Sequence, residues 1–507
     1  MKMIIISIFA VTMIQDELKY RIRQAFGLVP TAEQEHALDV FSLFLTDRSD
    51  RVVMILRGSA GTGKTSLAGA IVRAMVALKQ KMILLAPTGR AAKVFSLNAG
   101  HAAYTIHRRI YRQKSAGDLS AFNLNDNLNR DTLFIIDEAS MISNQGFGDS
   151  AFGSGCLLDD LMQFVYNGQR SASPLASSNN CRMLLIGDKA QLPPVGEDES
   201  PALMADVLRC YGMKVYECDL NQVLRQRPLE GGQGSGILWN ATMIRQMITH
   251  DEITGLPRIR FEGFADIQSV PGDELIETLA SSYSHVGLDE TIVITRSNKR
   301  ANIYNQGIRN TVLDREDELC RGDQLMIVKN NYFWTEGSKD IPFIANGDIA
   351  VVQRVRNVHE LYGFRFAEVT MQFPDYDNYE LTATVILDSL STEAPALTHE
   401  QQEQLYNAVI EDYADIPQKV ERIKKMKNDR YYNALQVKFA YAVTCHKAQG
   451  GQWTHVYLDQ GYMTDDMLTS DYIHWLYTAF TRATERLFLV NWPKTQTAVT
   501  GAEKLSD

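Results

Sequence analysis

Apolar runs of five or six residues alternate with amphipathic stretches through the first two hundred positions. That rhythm predicts strands buried on both faces between helices. Arg51 to Leu56 (RVVMIL), 82–86 (MILLA), 132–136 (TLFII) and 183–187 (MLLIG) read as such strands. Leu67 to Lys79 reads as the helix that follows the first of them, and Cys156 to Tyr166 as another, lying between glycine- and serine-rich loops at 145–155 and 170–180. The pattern resumes with a strand at 291–295 (TIVIT), a helix from Lys299 to Arg309, and further apolar segments from Leu435 to about Trp492. Between these lie short strands at 322–328, 349–352 and 366–370, a strong turn signal at Asn346-Gly347-Asp348, and a charged, helix-patterned stretch at 398–427. Alternating strands and helices of this kind predict an α/β class with parallel sheets.

Two junctions in the first part carry chemistry. Gly58-Ser59-Ala60-Gly61-Thr62-Gly63-Lys64-Thr65 lies between the first strand and its helix and fits G-x-x-x-x-G-K-[ST]. Glycines let backbone N–H groups wrap a polyphosphate, and the helix N-terminus adds positive potential. Lys64 is placed to reach the β/γ-phosphates of ATP, and the Thr65 hydroxyl to hold Mg²⁺. Asp137-Glu138 follows the strand at 132–136, at the strand end where ligands gather in parallel sheets. Asp137 then serves as the second Mg²⁺ ligand, while Glu138 orients the attacking water and accepts its proton. An acidic helix cap is the bland reading of Asp137-Glu138, and it loses to catalysis because the lysine loop stands beside it.

Composition narrows the class without deciding the partner. The chain has 507 residues, enough for two to four domains, with 45% hydrophobic and 22% charged residues. Its six cysteines form no C-x-x-C pair, so neither a zinc site nor a disulfide framework is expected, and a reducing cytoplasm fits them. The net charge of −10 runs against a polyanion partner, yet it describes solubility and not the field in one cleft. Basic residues cluster at Arg90/Lys93, at Arg108/Arg109/Arg112/Lys114 and at His446/Lys447. The apolar start MKMIIISIFAVT is short and has one flanking charge, so it is read as an over-called start before Met13, with no export signal and no membrane span.

Further motifs follow in a fixed order. They are Thr31-Ala32-Glu33-Gln34, then Ala86-Pro87-Thr88-Gly89-Arg90-Ala91-Ala92-Lys93, then Thr105-Ile106-His107-Arg108. After Asp137-Glu138 come Gly187-Asp188-Lys189-Ala190-Gln191-Leu192-Pro193-Pro194-Val195-Gly196 and Leu224-Arg225-Gln226. The series ends with Val443-Thr444-Cys445-His446-Lys447-Ala448-Gln449-Gly450 and Tyr477-Thr478-Ala479-Phe480-Thr481-Arg482-Ala483. This ordered set, from residue 31 to 483, resembles the superfamily 1B DNA helicases, nearest the RecD and Dda branch.

The resemblance implies two RecA-like parallel-sheet lobes, with a β-hairpin pin inserted in the first and an SH3-like small β-barrel inserted in the second. Lobe 1 is then expected over 14–215 with the pin at about 108–130, and lobe 2 over 216–314 and 435–500, split by the barrel and the charged insertion at 315–434. It also implies roles. Gln34, whose amide both donates and accepts, matches the adenine edge, and Gln449 and Gly450 join the nucleotide set. Gln191 senses the γ-phosphate, and Arg225 and Arg482 act on it as fingers from the second lobe, worth about 10³–10⁵ in rate. Pro87, Thr88, His107, Thr444, His446 and Lys447 contact the DNA backbone without reading sequence. Either Phe122 or Tyr111 is the wedge of the hairpin, which could equally be a simple cover for the lobe.

The implied activity is ATP-dependent 5′→3′ movement on single-stranded DNA and separation of tailed duplex, in repair, recombination or replication. The expected protein is a cytoplasmic monomer, with single-strand-binding or recombination proteins as candidate partners. An RNA- or RNP-remodelling translocase and a non-catalytic nucleotide-binding clamp are the alternatives.

Overall fold

The computed structural model describes residues 2–113, 122–146, 153–166, 179–223, 234–250, 255–335, 341 and 343–498. The chain divides into two compact units: Met1–Arg112 with Phe122–Gly234, and Gln113–Ala121 with Ser235–Asp507.

The first unit is built on β1 (Val52–Gly58), β2 (Lys81–Ala86), β3 (Ala103–Thr105), β6 (Thr132–Ile136), β7 (Arg182–Gly187) and β8 (Lys214–Leu220), with β4 (Tyr111–Gln113) and β5 (Phe122–Leu124) paired apart as a two-stranded ribbon. The main sheet runs in the order β3-β2-β6-β7-β1-β8, every neighbouring pair parallel. All seven residues of β1 and all five of β6 are buried, as expected for strands covered on both faces. On one face the helices Lys2–Phe26, Ala32–Thr46, Lys64–Ala77 and Gly89–Ala99 bring Leu18, Ile22, Phe41, Phe44, Ile71, Met75 and Phe95 onto the strands. β8 pairs with β1 from Val52↔Lys214 to Gly58↔Leu220, so the first sheet continues past the boundary expected at 215. Its pattern is half exposed, as suits an edge strand, and the apolar-run criterion therefore missed it.

The second unit holds a five-stranded parallel sheet and a closed barrel. The sheet consists of β9 (Ile267–Val270), β10 (Thr291–Thr295), β16 (Ala442–Thr444), β17 (Trp453–Asp459) and β18 (Ala483–Val490), in the order β16-β10-β17-β18-β9. The barrel closes through β11 (Gln324–Ile327), β12 (Ile349–Leu361), β13 (Phe364–Phe373), β14 (Tyr379–Ile386) and β15 (Leu435–Phe439). Leu435–Phe439, expected in the second lobe, is thus a barrel strand, pairing antiparallel with β11 and parallel with β14. β12 and β13 run far beyond the short strands expected; in β13 the polar residues Glu368, Thr370 and Gln372 alternate with buried Val369, Met371 and Phe373. The charged insertion forms helices His399–Glu411 and Lys419–Lys427, which bury Leu405, Val409 and Met426 against Phe364 and Phe366 of the barrel. No helix among the described residues is long and apolar enough to cross a membrane.

Candidate nucleotide and nucleic-acid site

The phosphate loop is shaped by its glycines. Gly61 and Gly63 hold φ of 79° and 81°, the left-handed region that side chains disfavour. A Cβ on Gly58 would lie 2.8 Å from Thr62 Oγ1 and 3.0 Å from Leu220 Cβ, so the first motif glycine is set by close approach. Thr62 is buried and donates its hydroxyl to Ser59 O at 2.8 Å, which locks the turn. The Lys64 ammonium donates to the carbonyls of Gly58 and of Ser59, the latter at 2.9 Å. A phosphate oxygen is a stronger acceptor than either carbonyl and would draw it away.

Gln34 is placed differently from the adenine-facing role the resemblance implies. It is 1% exposed. Its Nε2 donates to Thr62 O at 3.1 Å, and its Oε1 accepts from Thr31 N at 3.0 Å, completing a capping box on helix Ala32–Thr46. Both ends of the amide are engaged within the chain, so in this conformation Gln34 braces the phosphate loop.

Asp137 and Glu138 sit where β6 ends. Asp137 N donates to Leu85 O at 3.0 Å, and Asp137 Oδ1 accepts from Glu138 N at 2.9 Å. Glu138 adopts φ 52°, a left-handed conformation that side-chain-bearing residues rarely take. Burial, together with the Glu138 carboxylate, pushes the Asp137 carboxyl up to about 7, against the pull of the Glu138 backbone N–H and Lys64. Two neighbouring carboxylates, close enough for each charge to be felt, suit a divalent cation. Among the described residues no group of three or more His, Cys, Asp or Glu forms a metal cage. That suits Mg²⁺, which takes one or two protein oxygens and completes its shell with phosphate and water. Thr65, half-buried at the start of the helix, is the hydroxyl that the motif assigns to it.

Gln191 follows β7 and is 5% exposed, and its Oε1 is buried with no hydrogen-bond partner among the described residues. An acceptor left unmade in this way costs about 1–3 kcal/mol, a strain more common at functional positions than in ordinary loops.

Glu197, six residues further on, escaped the reading of the sequence. Its Oε1 accepts from Ser143 Oγ at 2.9 Å, Asn144 N at 2.6 Å and Gln145 N at 2.9 Å. Ser200 Oγ adds a bond to Ser140 O at 3.0 Å. The Gln191 loop is therefore stitched to the segment that leaves Glu138. Only its place just after Pro193-Pro194-Val195-Gly196 could have flagged Glu197 beforehand.

On the second unit Arg482 is 2% exposed. Its three guanidinium nitrogens donate to Thr478 O at 3.0 Å, Gly451 O at 3.1 Å and Thr481 Oγ1 at 3.1 Å. No carboxylate pairs with it among the described residues, so a buried cation is held by neutral acceptors alone. Such a group is costly unless an anion joins it. Gln449 and Gly450 lie buried on the same unit, Gly450 with φ 73°. Arg225 lies outside the described residues.

The expected DNA set divides between the units. On the first, Thr88 caps helix Gly89–Ala99 by accepting from Ala91 N at 3.2 Å, with half-buried Pro87 before it. Half-buried His107 is driven down to about 4 by desolvation, against the pull of Asp160, which favours the neutral imidazole. On the second unit, Thr444 precedes the short helix Cys445–Ala448, which carries exposed His446 and half-buried Lys447. Burial lowers Lys447 to about 8, and its ammonium donates to Asn346 Oδ1 in the barrel turn. Tyr111 is 8% exposed and donates to Asp160 Oδ2 at 2.7 Å, which makes it a core residue and not a wedge. Phe122 opens β5, but its ring, like Lys114, lies outside what is described.

The sequence matches the AAA domain family over residues 31–149 and the UvrD-like helicase C-terminal domain family over residues 439–490. The first match spans the phosphate loop and Asp137-Glu138, and the second spans Thr444 to Arg482. Both matched families accord with the resemblance to helicase superfamily 1B. Among similar proteins, the ATP-dependent DNA helicase dda of enterobacteria phage T4 is 23% identical over 316 residues, 59% of this chain and 60% of that protein. An uncharacterised protein of Methanocaldococcus jannaschii is 32% identical over 181 residues, 33% of this chain and 14% of its own length. The alignments thus span less than two thirds of both relatives. An uncharacterised mimivirus protein is 22% identical over 518 residues, covering 88% and 96%. A Pif1 helicase from Bacteroides in complex with ADP-AlF3 and ssDNA has a TM-score of 0.45 at 15% identity, covering 94% of this chain and 96% of that one.

Proposed function

We propose that this protein is an ATP-driven DNA helicase that moves 5′→3′ on single-stranded DNA and opens tailed duplex. The observation that carries the reading is a pair of buried groups on the motif segments, one without a hydrogen-bond partner and one without a counter-charge among the described residues. They are the orphaned Gln191 Oε1 on the first unit and the Arg482 guanidinium, buried without a carboxylate, on the second. A plain nucleotide clamp has no use for either. The polarity rests on the resemblance to superfamily 1B.

In this reading Lys64 leaves the Gly58 and Ser59 carbonyls for the β/γ-phosphates. Thr65 and Asp137 would hold Mg²⁺, which would supply charge neutralisation at the phosphates when bound. Glu138 orients the water and takes its proton. Gln191 reports on the γ-phosphate, and Arg482 and Arg225 supply positive charge to the transition state. Gln449 and Gly450 complete the nucleotide set. Pro87, Thr88, His107, Thr444, His446 and Lys447 hold phosphodiester oxygens, so binding is salt-dependent and largely blind to sequence. Phe122 is the candidate stacking group at the duplex junction, and single-strand-binding or recombination proteins are the candidate protein partners.

The test is unwinding of matched duplexes with a 5′ or a 3′ single-stranded tail, alongside ATP turnover with DNA and RNA of one sequence. Opening of the 5′-tailed duplex with stimulation by DNA is expected. Opening of the 3′-tailed duplex alone refutes the polarity, and stimulation by RNA alone favours the RNP-remodelling alternative.

A further inference from the structure

At the N-terminal ends of β2 and β6, away from the nucleotide motifs, the first unit carries an open cavity of about 540 Å³. Among the described residues its lining includes Lys79, Lys81, His101 and Arg109 and contains no Asp or Glu. None of these four side chains forms an ion pair among the described residues. The adjacent Asp131 carboxylate accepts instead from Asn180 Nδ2 at 2.7 Å.

The corner that presents the lysines is built, not slack. Lys79 holds φ 56° with its N–H on Val76 O at 3.0 Å. Gln80 N donates to Met75 O at 3.0 Å, and Gln80 Nε2 to Asp131 O at 2.7 Å. Arg109 arrives from the separate helix Ile106–Ile110, and His101 from the turn after helix Gly89–Ala99. Lys79, Lys81 and Arg109 gather positive charge here with no ion-paired carboxylate among the described residues, and like charges at close range repel one another. An anionic partner relieves that cost. Several cations spread over a wide, open surface suit a ligand with repeated charges better than a single phosphate.

We propose that this cavity binds the phosphodiester backbone of the duplex arm of a tailed DNA substrate. The inference rests on the helicase reading and adds a second DNA surface to it. Pro87 and Thr88, assigned to the single strand, follow the C-terminal end of β2, whereas Lys79 and Lys81 lie at its other end; Arg109 shares helix Ile106–Ile110 with His107. Six residues of strand span about 20 Å. Duplex DNA, stiff over about 150 base pairs, presents phosphates across such a distance without further ordering.

The test is binding of a 5′-tailed duplex and of its single-stranded tail alone, each titrated with salt. The proteins compared are the unaltered chain, the Lys79→Glu/Lys81→Glu pair and, separately, Arg109→Gln. The pair should weaken tailed-duplex binding about 5–20-fold at moderate salt and flatten its log–log salt slope by about 2. Single-strand affinity and DNA-free ATP turnover should stay within about two-fold, since no group of the active site is touched. Unchanged duplex affinity in both variants overturns the inference. Equal losses on duplex and single strand also overturn it, because the cavity would then belong to the single-strand track. If the unaltered protein binds neither DNA, the helicase reading itself has failed.

Discussion

The phosphate-loop end of the first unit and the Arg482 pocket of the second solve opposite electrostatic problems. The first crowds two carboxylates, Asp137 and Glu138, beside a lysine bonded only to backbone carbonyls. The second buries a guanidinium among two carbonyls and a hydroxyl. Each is poorly neutralised within its own unit. Contrast Arg309, equally buried on the second unit, whose charge is met by Asp323 at 3.0 Å in a network with Arg315 and Tyr441. Arg309 is structural because its charge is already answered. Arg482 is a candidate for chemistry because its charge is not.

The largest effect that sharpens this contrast is expected at Glu138. Glu138→Gln keeps size and hydrogen bonding but cannot take a proton. ATP turnover should fall by about 10³-fold or more while nucleotide binding persists, set against about 10²–10⁴ for a positioned general base. Turnover within a few-fold of the unaltered protein, read in a steady-state ATPase assay, would remove Glu138 from that role.

A smaller effect is expected at Glu197, which tests whether the Gln191 loop and the Glu138 segment act as one body. Glu197→Ala frees three donors and should cut DNA-stimulated turnover by about 10-fold, a cost near one charge-assisted hydrogen bond. The KM for ATP should barely move, and Glu197→Gln, which retains an acceptor, should restore most of the rate. Equal losses with and without DNA, and no rescue by Gln, would make Glu197 merely structural.

The smallest effect concerns a buried carboxylate outside the nucleotide site. Asp348, 1% exposed at the start of β12, is pushed up to about 7 by desolvation despite accepting from Ala345 N and Tyr376 OH. Its folded pKa is above its unfolded value, so the folded state binds the extra proton between about 4 and 7. Stability should therefore fall as pH rises through that window, with the penalty fully present above it. Asp348→Asn removes the penalty. Its melting temperature relative to the unaltered protein should rise by several degrees between pH 5 and pH 8, since about two pH units of the window at about 1.4 kcal/mol each lie between them. A pH-independent difference in thermal melts would refute the assignment.

Legibility in the sequence followed how local each feature is. The buried strands β1, β2, β6 and β7 were readable because apolar runs announce them, and the phosphate loop because its geometry is local to eight residues. β8 and β15 were misassigned because their sheet membership depends on partners far along the chain: Val52 for Lys214, and Leu325 for Phe439. Gln34 and Tyr111 carry suitable chemistry by type, but Thr62 and Asp160 engage them inside the fold. Glu197 was invisible because an acidic residue in a loop states nothing about the three donors it gathers. Arg482 was legible as a motif residue, but its lack of a carboxylate partner was not.

The most direct test of the central claim is DNA-stimulated ATP turnover by Arg482→Ala, with nucleotide and single-strand binding measured on the same preparation. The account predicts a loss of roughly 10³-fold in turnover, the scale of an arginine finger, with both affinities within a few-fold of the unaltered protein. Turnover that survives while single-strand binding is lost would place Arg482 on the DNA instead and contradict the account.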